Sequence, residues 1–168
     1  MTLPIIERRR IEAEILGHVF AVIAARSGEE EARAVIGEAV SRSAIEQGER
    51  FRAALGRDPD LSDFGAILPN WTSGGSLELE VRHAAPDRLD FDVTRCRYAE
   101  MYREMGLGAI GDLLSCNRDG DFCVGYNPKM ELTRTETIMS GAKRCDFRYR
   151  LAPDVSTATT PATPEDEK

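Results

Sequence analysis

Residues with reactive side chains are concentrated in one stretch of the sequence, residues 116–150. The stretch contains three of the four cysteines of the chain. Side chains of these types can supply a nucleophile, carry a proton and bind a carboxylate. A β-hairpin with buried thiols and charged outer positions would have the same composition, because cysteine is among the most buried residue types. The polar members are Asp119, Asp121, Tyr126, Asn127, Arg134, Thr135, Thr137 and Asp146.

The charge of the chain argues against a nucleic acid partner, and the length of its apolar runs argues against a membrane partner. The net charge is -7 and the isoelectric point is near 5.0, whereas phosphate-backbone binding requires a concentrated basic face. The only basic run covers residues 8–10, between Glu7 and Glu12. The apolar run at residues 19–25 is too short to span a bilayer. We therefore expect a cytoplasmic protein with reduced thiols, and the long apolar helices make self-association a further expectation.

The elements that must position the polar stretch begin with two helices. Apolar residues recur at three-and-four spacing from Pro4 to Arg26, which predicts an amphipathic helix. A second helix is predicted from Glu29 to Leu55, with Ser27 and Glu30 in the arrangement of a capping box. The short connection predicts that the two helices are antiparallel. The apolar residues assigned to the inner face of the first helix are Ile5, Ile6, Ile11, Ile15, Leu16, Val19, Val22 and Ile23.

Two hairpins are predicted after these helices. Residues 77–83 and 89–95 alternate apolar and charged side chains, which indicates a hairpin with one face on the core and the other in water. The second hairpin would pair residues 130–138 with 144–151, and short helices precede it. The sequence thus predicts an α+β fold with an antiparallel sheet of about four strands in a single domain, residues 1–152. Residues 153–168 are expected to form a disordered acidic tail. The inward set of the first hairpin is Leu77, Leu79, Val81, Leu89, Phe91 and Val93.

The motifs of this region resemble a known family. Cys96 precedes Tyr98-Ala99, Cys116 lies three residues before Asp119, and residues 125–128 read Gly-Tyr-Asn-Pro. Arg134-Thr135 with Thr137 and then Cys145-Asp146-Phe147 follow in order. Together these elements are similar to those of the bacterial L-2-amino-thiazoline-4-carboxylic acid hydrolases. The resemblance covers about a third of the chain, and its specificity comes from the order and spacing of the motifs.

A more distant resemblance connects the same region to vinyl-reductase-type sensor domains, which bind small organic molecules between sheet and helices. Those domains hold zinc through cysteines and a glutamate. When their last cysteine is aligned on Cys145, Thr137 and Arg134 occupy two of the ligand positions. A structural zinc site requires four ligands and excludes arginine, so we expect no metal. No other cofactor is expected.

The hydrolase resemblance implies the opening of a cyclic amidine or isothiourea acid by water, with cleavage of a carbon–nitrogen bond. Cys116 could attack as a thiolate, Asp119 could transfer protons, and Arg134 could bind the substrate carboxylate. A mechanism in which Asp119 activates water is an equal alternative to covalent catalysis. The resemblance adds Cys145 to the catalytic group. It implies substrate contacts from Tyr126, Asn127, Thr137 and Cys96.

Two other functions remain open at this stage. The chain could be a non-catalytic domain that binds or senses a small molecule, or it could use its cysteines in a redox or metal site. Turnover of 2-aminothiazoline-4-carboxylate separates the enzyme from the binding domain.

Overall fold

The computed structural model describes residues 3–153. The predicted acidic tail, apart from Pro153, lies outside the described residues. The chain forms six α-helices, four strands, two 3₁₀ turns and one π-helical turn within this range. The helices are α1 (Ile5–Ser27), α2 (Glu29–Leu55), α3 (Leu61–Ile67), α4 (Pro69–Thr72), α5 (Arg97–Glu104) and α6 (Arg118–Tyr126), and the strands are β1 (Leu77–Ala85), β2 (Arg88–Cys96), β3 (Met130–Thr133) and β4 (Cys145–Leu151). The shorter turns are Ser73–Gly75, Gly108–Ile110 and the π-helical Asp112–Cys116.

The two predicted N-terminal helices are confirmed, but the predicted capping box is wrong. Ser27 still belongs to α1, and Gly28 alone separates the helices with φ of 94°. Gly28 is the N-cap residue of α2, and no side chain caps it. The reversal is therefore made by a glycine in a backbone conformation that other residues avoid.

The inner face of α1 differs from the apolar stripe read in the sequence. Its buried residues are Ile5, Arg9 and Ala13, at a spacing of four. Ile11 and Ile15, which belong to the predicted apolar stripe, are 56% and 65% exposed. Helix α1 thus carries apolar residues on both sides, and an arginine lies on its buried side.

The sheet has the strand order β1-β2-β4-β3, and all neighbours are antiparallel. The predicted α+β fold with two hairpins is therefore confirmed. Leu89, Phe91 and Val93 are buried on the inner face. The alternating pattern predicts Val81 beside them, and Val81 does pair with Phe91. Val81 lies on the edge strand β1, however, and is 59% exposed.

The outer face of the sheet is not simply in water, contrary to the alternating pattern. Asp90 and Asp92 of β2 are only 2% and 1% exposed. Strand β2 lies between β1 and β4, and arginines on and beside these strands extend over the two carboxylates. The arginines that pair with them are Arg82, Arg88, Arg144, Arg148 and Arg150.

The second hairpin is shorter than predicted, because the Asp146 side chain binds backbone N–H groups that the prediction placed in strand pairing. Strand β3 ends at Thr133 instead of continuing to residue 138. The Asp146 carboxylate accepts hydrogen bonds from the backbone N–H groups of Thr135 (2.9 Å) and Glu136 (2.8 Å). It also accepts one from the Thr135 hydroxyl (2.6 Å). Residues 134–137 therefore continue outside the sheet, without strand pairing.

Helices α2 and α6 pack through close backbone contact. A Cβ atom at Gly48 would lie 2.2 Å from the Phe122 carbonyl oxygen, and one at Gly125 would lie 2.0 Å from the Ile45 carbonyl oxygen. Only glycine allows the two helices to approach so closely. This contact holds α6, which carries Arg118 and Asp119, against the rest of the protein. Among residues 3–153, no helix is both long and apolar enough to cross a membrane.

Candidate functional site

A cavity lies where two hydrophobic clusters meet. One cluster joins the sheet to α3 and α6, and the other joins α1 and α2 to α5. The cavity has two adjoining chambers with volumes of about 70 Å³ and 60 Å³. Because a single water molecule needs only about 10–15 Å³ on this measure, each chamber has room for several non-hydrogen atoms. Both chambers are lined by Arg9, Trp71, Leu77, Arg118, Asp119 and Phe147.

The first chamber is lined by five of the residues singled out in the sequence. Cys116 ends the π-helical turn, and Asp119 lies in the first turn of α6. Arg134 follows the end of β3, where Asp146 has redirected the chain. Cys96 ends β2 and Cys145 begins β4, so adjacent strand ends bring both thiols to the same wall.

Asp119 and Arg134 form an ion pair in this chamber. Arg134 Nη1 donates to Asp119 Oδ2 at 2.6 Å, and Arg134 Nη2 donates to the Cys116 carbonyl oxygen at 3.0 Å. The guanidinium also lies over the Phe147 ring, 5.0 Å from its centroid. Burial raises the pKa of Asp119 despite the opposing charge of Arg134. The pair therefore places a carboxylate with a raised pKa at the cavity surface.

The three thiols of the chamber are held in the neutral form. Burial raises the pKa of Cys116 strongly, and the nearby carboxylate of Asp119 raises it further. Burial also raises the pKa of Cys96, to about 11, and that of Cys145. Neither of the two histidines in the sequence lines a chamber. The site thus lacks the imidazolium partner that activates many catalytic thiols.

Three predicted substrate-binding residues lie elsewhere. Tyr126 is 2% exposed and packs with aromatic rings of the core. The Asn127 side chain donates to the Pro59 carbonyl oxygen at 2.8 Å and accepts from the Lys129 N–H at 3.0 Å. Thr137 bonds to Ser140 at 2.5 Å within the turn before β4. None of the three lines either chamber.

Sequence reasoning missed two arginines of the cavity. Arg9 is 6% exposed and Arg118 is 7% exposed. Both occupy buried helix faces, since Arg9 is spaced by four from Ile5 and Ala13, and Arg118 is spaced by four from Phe122. The sequence does contain a signal for them, namely an arginine at a helix position where the four-residue spacing predicts a buried apolar side chain.

The two arginines share one carboxylate, that of Glu12. Arg9 Nη1 donates to Glu12 Oε2 at 2.8 Å, and Arg118 Nη2 donates to the same oxygen at 3.1 Å. Arg9 Nη2 donates to Gln47 at 3.1 Å, and Arg118 Nε donates to the Leu114 carbonyl oxygen at 2.9 Å. Arg118 Nη1 is buried and has no hydrogen-bond partner among residues 3–153. Burial, and next to it the charge of Arg9, lowers the pKa of Arg118 to about 10.

The described part of the chain contains no group of three or more His, Cys, Asp or Glu side chains that could hold a metal ion.

Comparisons with known proteins place the chain in a family. No curated protein matches it. Among solved structures, the phenol-responsive sensory domain of the transcription activator PoxR, crystallised with phenol, matches with a TM-score of 0.52 and 12% identity. That match covers 82% of this chain and 73% of the other, and at this identity it shows a shared fold. The family model described as L-2-amino-thiazoline-4-carboxylic acid hydrolase matches residues 8–149. Because this match spans most of its length, the chain belongs to the L-2-amino-thiazoline-4-carboxylic acid hydrolase family.

Proposed function

We propose that the protein hydrolyses a small cyclic amidine or isothiourea that carries a carboxylate, of the 2-aminothiazoline-4-carboxylate type. Membership of the family supports the reaction class. The observation that carries the proposal is Asp119, a carboxylate with a raised pKa that lines the cavity and is held there by Arg134. A general base or acid is most effective when its pKa lies near the working pH.

Asp119 is the proton carrier in the proposed reaction. It accepts a proton from water as the water oxygen bonds to the ring carbon between nitrogen and sulfur, while the π electron pair of the carbon–nitrogen double bond moves to the ring nitrogen. Asp119 returns this proton to the nitrogen, which leaves a tetrahedral carbon with a hydroxyl group. Asp119 then moves the hydroxyl proton to the same nitrogen as the remaining carbon–nitrogen bond breaks, its electron pair goes to the nitrogen and a C=O bond forms. One water molecule is consumed, and Asp119 ends as a carboxylate.

The raised thiol pKa values favour activation of water over covalent catalysis. A thiolate is the nucleophilic form of cysteine, and Cys116 lies beside a carboxylate that opposes its ionisation. Arg134 holds Asp119 through the 2.6 Å hydrogen bond. We assign Cys96, Cys116 and Cys145 to the wall of the cavity, where they exclude water from the ring sulfur.

A non-catalytic binding domain is the second candidate. The cavity lies between sheet and helices, and aromatic and aliphatic side chains contribute much of its wall. The PoxR sensory domain, of similar fold, was crystallised with phenol. Small-molecule pockets usually combine an apolar wall with a few fixed polar groups, so the same cavity suits a sensor.

The two candidates are separated by measuring turnover and binding of 2-aminothiazoline-4-carboxylate in parallel. For the enzyme, we expect turnover by the natural protein and a loss of about 10²–10⁴-fold in kcat in Asp119→Asn, with binding retained. The control is Asp121→Asn, which makes the same change on α6 at a residue that lines neither chamber. Binding without turnover by the natural protein would support the sensor. Full turnover by Asp119→Asn would show that the site assignment is wrong.

A further inference from the structure

We propose that Arg118, together with Arg9, forms an anion-binding subsite that receives the carboxylate of a small ring-shaped ligand. The choice of ligand rests on the proposed function, but the subsite itself is tested by binding and does not require turnover.

The charges around the cavity leave an excess positive charge. Three arginines, Arg9, Arg118 and Arg134, line the first chamber. Their carboxylate partners are Glu12, shared by the first two, and Asp119, paired with the third. These five groups carry one net positive charge when all are ionised. An uncompensated charge in a protein interior is costly, and an entering anion would neutralise it.

The excess charge is located at Arg118 rather than at Arg134. Arg134 already donates to Asp119 and to the Cys116 carbonyl oxygen, and its guanidinium packs on Phe147. Arg118 has its Nε and Nη2 groups satisfied, whereas Nη1 has no partner in the described part of the chain. The Arg118 side chain is 9% exposed. An unsatisfied donor of a charged group in such a place costs more than a neutral one.

Hydrogen bonds to Glu12 and Gln47 fix the positions of the two arginines. Gln47 and Glu12 fix Arg9, and Glu12 also bonds to Arg118. The planar guanidinium of Arg118 is therefore presented in one orientation, which suits the pairing of arginine with a carboxylate.

The neighbouring wall indicates what the anion is attached to. Trp71 and Phe147 line both chambers together with Arg118. A flat ring can pack on these aromatic faces while its carboxylate contacts the arginines. The ligand class is therefore a small cyclic monocarboxylate, and the analogue of the same ring without the carboxylate should bind less well.

Trp71 provides a local readout because it is the single tryptophan of the chain and lines the cavity. We would titrate the protein with 2-aminothiazoline-4-carboxylate and with 2-aminothiazoline, which lacks the carboxylate. Trp71 fluorescence and calorimetry would report both affinities. We expect the natural protein to prefer the carboxylate by about 10- to 100-fold, the range of a hydrogen bond to a charged group.

Variants of Arg118 and of the Asp119–Arg134 pair show which arginine, Arg118 or Arg134, binds the carboxylate of the ligand. Arg118→Met should remove the preference by lowering the affinity for the carboxylate ligand more than the affinity for 2-aminothiazoline. The double variant Asp119→Asn with Arg134→Met removes one positive and one negative charge, and it should retain the preference. Arg9→Met is the second variant for the case in which Arg118→Met does not fold, and it should reduce the preference.

Three results would overturn the subsite. They are equal affinities of the natural protein for the two ligands, an undiminished preference in Arg118→Met, or a preference lost only in the double variant. In contrast, a strong carboxylate preference without turnover would leave the subsite intact and refute the hydrolase.

Discussion

Arg134 Nη1 lies 2.6 Å from Asp119 Oδ2 inside the cavity, and the pKa of Asp119 is nevertheless raised. A guanidinium at this distance favours the ionised carboxylate, so burial must outweigh it. Arg134 favours the ionised form of Asp119, but the pKa of Asp119 stays above its ordinary value. The Asp119 carboxylate therefore remains a stronger base than that of an exposed aspartate. This balance distinguishes Asp119 from Asp92 on the outer face of the sheet, where arginines lower the carboxyl pKa.

The acid limb of the pH profile should report Asp119. The proposed base is active when deprotonated, so kcat/KM should rise with pH through the pKa of Asp119. Because that pKa is raised above its ordinary value of 3.8, the inflection should lie at higher pH than for an exposed aspartate. The measurement is kcat/KM against pH for the natural protein and for Asp121→Asn, which should share the limb. An inflection below the ordinary range of aspartate would contradict this role.

The cavity thiols should react slowly with alkylating reagents. The pKa of Cys96 is raised from 9.0 to about 11, which lowers the thiolate fraction near neutral pH by about a hundredfold. Cys116 should be no faster, since burial and Asp119 both raise its pKa. Iodoacetamide labelling of each cysteine, followed by mass spectrometry, should show slow reaction in the folded protein and normal rates in guanidinium chloride.

Cys116→Ser gives an independent test of the same point. We expect it to retain most of the turnover, because water and not the thiol is the proposed nucleophile. Rapid labelling of Cys116 in the folded protein, together with loss of turnover in Cys116→Ser, would instead support covalent catalysis.

Sequence periodicity was sufficient to predict the elements of the fold. The two long helices and both hairpins follow from three-and-four spacing and from alternation, and the structure has them in that order. Periodicity did not predict the contacts of the Asp146 side chain. Its carboxylate binds two backbone N–H groups, and this tertiary contact ends β3 earlier than the strand pattern suggested.

Only part of the candidate site could be predicted from the sequence. Cys116, Asp119 and Arg134 lie close in sequence and share recognisable spacing, and the structure brings them to one chamber. Arg9 comes from the opposite end of the chain and reaches the cavity through the packing of α1 on α2 and its neighbours. Such convergence depends on helix packing, which a local pattern does not encode.

Gly48→Ala should destabilise the protein strongly. The added Cβ would lie 2.2 Å from the Phe122 carbonyl oxygen and 2.7 Å from the Tyr126 nitrogen, so α6 would have to move away from α2. We expect a loss of about 3 kcal/mol or more in the free energy of unfolding, measured by urea denaturation. Gly37→Ala is the matched control on α2, because its nearest neighbour is Leu113 Cδ2 at 3.7 Å.

In Gly37→Ala the new methyl group makes an ordinary contact and favours the helix, so a gain of about 0.5–1 kcal/mol is expected. Equal effects of the two substitutions would show that the α2–α6 contact is looser than described.

Asp92→Asn should destabilise the sheet in a pH-dependent way. Arg148 donates to Asp92 at 2.8 Å and lowers its pKa against the effect of burial, and Arg82 assists at 3.1 Å. A lowered pKa in the folded state means that this stabilisation is complete above the unfolded pKa near 3.8 and is lost as pH falls through the folded value. We expect Asp92→Asn to cost about 1–3 kcal/mol near neutral pH and progressively less in acid. Glu80→Gln, which removes an exposed partner of Arg82, should cost less than about 0.5 kcal/mol. A pH-independent cost in urea denaturation would show that Asp92 stabilises the sheet by packing rather than by charge.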